Sequence, residues 1–103
     1  MRIALYARVS KADQSQDPAN QLEPLRRLAE SLGCPAPTEY VDMASGGSSD
    51  RVQFLNMLRE ADHRQFDLLL IWSLDRLSRE GISNTLGYLE RLKRAGVAVK
   101  SLQ

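Results

Sequence analysis

The sequence holds a single cysteine, Cys34, and a single histidine, His63. One thiol forms no internal disulfide, and Cys34 stands outside any metal-ligand spacing, so it reads as a small apolar side chain in a reducing compartment. Without clustered cysteine and histidine, the donor set gives no support to a zinc site. No apolar run approaches the roughly 20 residues of a membrane span, and residues 1–15 lack a signal-peptide core. A large charge of one sign is also missing. The net charge is +1, which is not the footprint of a protein that holds DNA by bulk electrostatics. Internal repeats and low-complexity tails are absent as well.

What is present suits one globular domain. The 103 residues are 43% hydrophobic and 26% charged, enough to bury roughly 60–70% of the unfolded surface around one core. Eleven of the fourteen basic residues are arginine. Arginine keeps its charge and grips phosphate with a two-pronged fork, so the bias favours local oxyanion binding. Arg26, Arg27, Arg59, Arg64, Arg91 and Arg94 fall on helix faces and read as solvated surface.

Residues 2–9 read as a buried strand with Ile3, Leu5, Tyr6 and Val9 apolar. Asp17-Pro18 gives a helix start, Leu22, Leu25, Leu28, Ala29 and Leu32 recur at helical spacing, and Gly33 is the expected stop. Pro24 should distort the first two turns. A second strand is expected over 38–41. The loop at 44–50 is rich in glycine and serine and reads as mobile. Asp50 is placed to cap a helix with the stripe Phe54, Met57, Leu58 and Ala61. The run at 67–72 is apolar throughout, as a central parallel strand should be. Ser78 or Ser83 starts a third helix with Ile82, Leu86, Leu89 and Leu92 inward. Gly96 ends it, and 97–102 forms a fourth strand. This β-α-β-α-β-α-β order predicts a three-layer α/β/α fold, a mainly parallel sheet with helices on both faces.

In such sheets ligands bind beyond the carboxyl ends of the strands, where the winding reverses. Ser10, the 44–51 loop with Ser45 and Arg51, and the segment Asp75-Arg76-Leu77-Ser78-Arg79 each follow a strand, so they converge on one edge. A serine hydroxyl is a weak nucleophile that needs a base or a setting that stabilises developing charge. His63 sits at a helix end, and no Gly-x-Ser-x-Gly elbow exists, so a Ser-His-Asp arrangement is not indicated. Guanidiniums of Arg8, Arg51, Arg76 and Arg79 around a phosphodiester would neutralise it and stabilise a pentacovalent transition state without metal. Each such donor is typically worth about 10²–10³-fold in rate. Arg8 and Ser10 are two apart and share a strand face. Asp75 either orients Arg76 or, protonated, returns a proton to the leaving hydroxyl. Taken singly, Ser10 is a strand-end cap, Asp75-Arg76 a surface pair and Tyr6 core packing; the joint pattern overrides those readings.

Tyr6-Ala7-Arg8-Val9-Ser10, Asp42-x-Ala44-Ser45-Gly46 with Ser49-Asp50-Arg51, and Leu74-Asp75-Arg76-Leu77-Ser78-Arg79 together resemble the signatures of the serine site-specific recombinases, the resolvase/invertase family. The resemblance covers essentially the whole chain. It implies a resolvase-like sheet of four or five strands in the order 2-1-3-4, and attack by Ser10 on a scissile DNA phosphate to give a 5′-phosphoserine bond. Subunit rotation and religation would follow with no cofactor. Arg8, Arg76 and Arg79 would hold the phosphate with Arg51 assisting, and Asp75 would support the site or serve as acid. Tyr6 and Asp42 would line the site, Gln21 would reach it from the first helix, and Ser45 is the second-choice nucleophile. Implied partners are double-stranded DNA at a specific site and, in the full-length parent, a homodimer or tetramer, with no membrane and a cytoplasmic setting in a bacterium, phage or mobile element.

Family members continue into a long dimerisation helix and a DNA-binding domain. Residues 1–103 therefore read as a truncated catalytic domain, expected not to recombine DNA alone. One alternative is a phosphate- or flavin-binding module of the same topology. A receiver domain needs clustered acids after strand one, which here ends with Arg8 and Ser10, and a flavodoxin needs a phosphate loop there, whereas residues 10–15 contain no glycine. A non-enzymatic assembly or regulatory module that keeps the fold is the other alternative.

Overall fold

Leu69, Leu70 and Ile71 are apolar at consecutive positions, so this segment has no face to offer water, and it lies fully buried inside the sheet. The computed structural model describes residues 1–10, 18–44, 52–72 and 82–102. Its elements are β1 (Ile3–Ser10), α1 (Pro18–Ser31), β2 (Thr38–Ala44), α2 (Val52–Asp62), β3 (Leu68–Ile71), α3 (Ile82–Arg94) and β4 (Ala98–Ser101). The four strands are parallel in the order β2-β1-β3-β4. This is the architecture expected from the strand–helix alternation, with α1 on one face of the sheet and α2 and α3 on the other.

Period-two alternation along β1 sorts its side chains between two half-cores. Ile3, Leu5 and Ala7 pack with Leu22, Leu25 and Ala29 of α1, while Ala4 and Tyr6 pack with α2 and α3 on the other face. The whole predicted stripe of α2, Phe54, Met57, Leu58 and Ala61, is buried. Phe54 meets Tyr6 edge-on at 5.3 Å and Tyr88 of α3 at 4.9 Å, so an aromatic column joins β1, α2 and α3.

The three described helices stop in the same way. The third residue past each helix donates its amide to the carbonyl of its Schellman partner: Cys34 to Ala29 at 2.9 Å, Gln65 to Glu60 at 3.1 Å and Val97 to Leu92 at 2.9 Å. The residue before each has positive φ, and these are Gly33 (+94°), Arg64 (+54°) and Gly96 (+82°). The two glycine stops are the ones expected from sequence.

Several boundaries and faces differ from expectation. β1 includes Ser10 as its last residue, and β2 runs to Ala44 because it pairs in register with the longer β1. Helix α1 continues unbroken through Pro24, whose missing donor costs one intrahelical bond while Leu22, Leu25 and Ala29 hold the helix on the sheet. Leu32 is 42% exposed because it lies beyond the end of α1. Leu86 is 57% exposed. It stands about 120° around α3 from the buried Leu92, and Tyr88 and Leu89 complete the packed face instead. Helix α3 begins at Ile82, ahead of Ser83; Ser78, the other proposed start, lies outside the described residues.

Candidate active site

Parallel strands bring their carboxyl ends to one edge, and here Ser10, Ala44 and Ile71 mark that edge on β1, β2 and β3. Ser10 pairs in register with Ala44 and Tyr6 with Ile71. The sheet's winding reverses at β1, so its carboxyl end borders the crevice where such folds take ligands. Ser10 has the same strand parity as Tyr6 and Arg8; its side chain lies outside the described ones.

Arg8 is only 4% exposed and stands opposite Asp42 in the β1–β2 register. Burying a guanidinium two residues from the strand end is costly unless neighbouring groups compensate it. Asp42, 3% exposed, carries three hydrogen bonds at this edge. Its Oδ2 accepts from the Tyr6 hydroxyl at 2.8 Å and from the Phe54 amide at 2.9 Å, while Oδ1 accepts from the Gln53 amide at 2.9 Å. The carboxylate thus satisfies two orphan donors in the first turn of α2 and the buried phenol of β1 together.

This cap was not legible in the sequence. Asp50 was the expected cap, and it lies outside the described residues. Asp42 precedes α2 by ten positions and reaches it only through the fold, so local capping rules pass over it. Its signal was the carboxylate placed near the end of a strand, read there as site-lining. Tyr6 packs in the core with its hydroxyl satisfied by Asp42, which is the reading it has when taken singly.

Gln21 lies in the first turn of α1, with its side chain outside the described ones. Ser45, Arg51, Asp75, Arg76 and Arg79 also lie outside the described residues. The structure therefore brings together Tyr6, Arg8, Asp42 and the backbone of Ser10. Arg51 directly precedes α2, the helix that Asp42 caps. No group of three or more potential metal-ligating side chains occurs among the described residues, and no described helix is long and apolar enough to cross a membrane.

The sequence matches the model of the Resolvase N-terminal domain over residues 3–103. No curated protein shows significant sequence similarity to it. Among solved structures, the C-terminal catalytic domain of ISC1926 TnpA, an IS607-like serine recombinase, superposes with a TM-score of 0.84 at 30% identity, over 100% of this chain and 68% of that one. A serine recombinase from Sulfolobus solfataricus gives 0.78 at 26% identity, over 99% and 68%. The N-terminal catalytic domain of TP901-1 integrase gives 0.82 at 27% identity, over 99% and 78%. With the strand order, the switch-point serine and the buried arginine beside it, the match over nearly every residue makes this chain a member of the Resolvase family of serine recombinase catalytic domains.

Proposed function

We propose that the chain breaks and rejoins DNA strands, with Ser10 as the nucleophile. The Ser10 Oγ–P bond forms as the P–O3′ bond of the scissile phosphodiester breaks, leaving a 5′-phosphoserine and a free 3′ hydroxyl. The serine loses its proton and the leaving 3′ oxygen gains one. Reversal of the same exchange on a new 3′ end reseals the strand, so bond energy is conserved and no energy cofactor is required.

The observation that carries this reading is Arg8, a buried guanidinium on the parity of Ser10 at the switch-point end of β1. A preorganised cation of this kind stabilises charge on the phosphoryl oxygens as the transition state develops. Arg51, Arg76 and Arg79 are the partners proposed to complete the cradle, and Asp75 either orients Arg76 or supplies the proton to the leaving oxygen. Ser45 is the alternative nucleophile and Gln21 a further site residue. Asp42 and Tyr6 act as positioning residues, since their bonds cap and anchor the start of α2, the helix that Arg51 precedes in sequence.

A nicked suicide substrate, which loses its 3′ end after cleavage, tests the assignment. In the full-length parent, covalent protein–DNA adducts should accumulate with the wild-type sequence, disappear in Ser10→Ala and fall about 10²–10³-fold in rate in Arg8→Ala. Adducts that persist in Ser10→Ala would transfer the role to another hydroxyl, Ser45 first.

A further inference from the structure

A second cationic surface lies at the opposite, amino edge of the sheet, where α2 and α3 end. Two adjoining clefts of about 280 Å³ each open there. Arg64 and Arg94 line both, Arg91 lines one, and Arg2 and Lys93 line the other. Basic groups at helix C-termini ordinarily complement the macrodipole, and three of these also have carboxylate partners. Arg2 meets Asp67 at 3.6 Å, Arg91 meets Asp62 at 2.6 Å, and Arg94 meets Glu90 at 3.7 Å. Arg64 and Lys93 form no ion pair among the described residues.

Arg64 is informative for an independent reason. It occupies the left-handed position of a Schellman stop whose two counterparts in this chain, Gly33 and Gly96, are glycine. A side chain there carries a backbone cost that glycine avoids. No described contact repays it, because Arg64 is exposed and among the described residues its one hydrogen bond is from its backbone amide to the Ala61 carbonyl. Asp62 and Asp67, which line one cleft each, pair with Arg91 and Arg2; a strained arginine that lines both clefts with no carboxylate partner among the described residues suits an anion site better than a helix stop.

We infer that the amino edge, centred on Arg64 with Lys93, Arg94 and Arg2, is a second phosphate-binding surface. Its ligand is the backbone of a nucleic-acid segment other than the one held at the catalytic edge. Arg2 and Ser10 are separated along extended β1 by about 26 Å, so the two edges serve different stretches of phosphate. The inference goes beyond the cleavage reading and does not depend on the Ser10 chemistry.

Arg64→Gly separates binding from folding, because it removes the cation and relieves the backbone. Its melting temperature should equal or exceed that of the wild type, while its affinity for a fluorescent 20-base-pair duplex of arbitrary sequence falls several-fold. The slope of log K against log salt should shrink by about 0.9 for the lost phosphate contact. Lys93→Ala should act in the same direction, and both variants should still form the covalent adduct on the suicide substrate. Amide resonances of Arg64, Lys93 and Gly96 should shift as duplex is added. Unchanged duplex affinity and salt slope in Arg64→Gly would overturn the inference. So would shifts confined to the carboxyl end of β1, or binding of Arg64 to polyglutamate but not to duplex, which would mark a protein-facing surface.

Discussion

At the scale of single residues, the site is organised around a buried carboxylate. Asp42 receives three hydrogen bonds, two of them from backbone amides in the first turn of α2. Asp42→Ala removes all three bonds together, and should cost about 2–4 kcal/mol in urea unfolding. Tyr6→Phe removes one bond and retains the edge-on contact with Phe54, so about 0.5–1.5 kcal/mol is expected. If the two substitutions prove equally costly, the cap is not the main contribution of Asp42. Tyr6 and Asp42 were visible as site residues only through the resemblance of their motifs to the recombinase signatures. That one is bonded to the other, and both to α2, was not visible, since 36 positions separate them.

At the scale of elements, terminators and faces were unequally legible. Gly33 and Gly96 announce their helix ends because only glycine adopts positive φ at little cost. Space is not the constraint at either position, since an added Cβ would meet no atom within 4 Å. Gly33→Ala and Gly96→Ala should therefore each destabilise by about 1–2 kcal/mol through backbone strain alone, read as a lower melting temperature with an unchanged denaturant slope. The end of α2 gave no such signal, because an arginine stands at the equivalent position. The face of α2 could be read residue by residue, since its stripe is narrow and wholly buried. In α3 the leucine spacing pointed too far round, and the aromatic column drew Tyr88 inward in place of Leu86.

At the scale of the whole molecule, ion pairs between elements couple stability to pH. Arg26 of α1 forks onto Glu39 of β2 at 2.5 and 2.8 Å, and that hydrogen-bonded pairing holds the Glu39 carboxyl below its ordinary value of 4.5. Hydrogen bonding by Arg91 likewise lowers Asp62, and the Arg2 backbone amide, then its side chain, lowers Asp67. A carboxyl depressed by folding contributes stability that is present above its unfolded pKa and lost as pH falls through the folded one. Stability should thus hold from neutrality down to about pH 4.5 and decline below it. Glu39→Gln should be less stable than wild type at neutral pH, with the gap narrowing in acid and in high salt. A gap that is constant across pH would assign the loss to packing.

The sequence by itself determined the layer architecture, the buried central strand, two of the three helix stops and the identity of the strand-end residues. Each of these is written in local periodicity or in the backbone limits of glycine and proline. Only the tertiary structure decided that a carboxylate on β2 caps α2, that Arg8 is enclosed at the rim, and that an arginine sits strained between two clefts at the far edge. Those depend on which elements become neighbours, and a linear pattern carries no record of contacts between side chains that meet only when the sheet has formed.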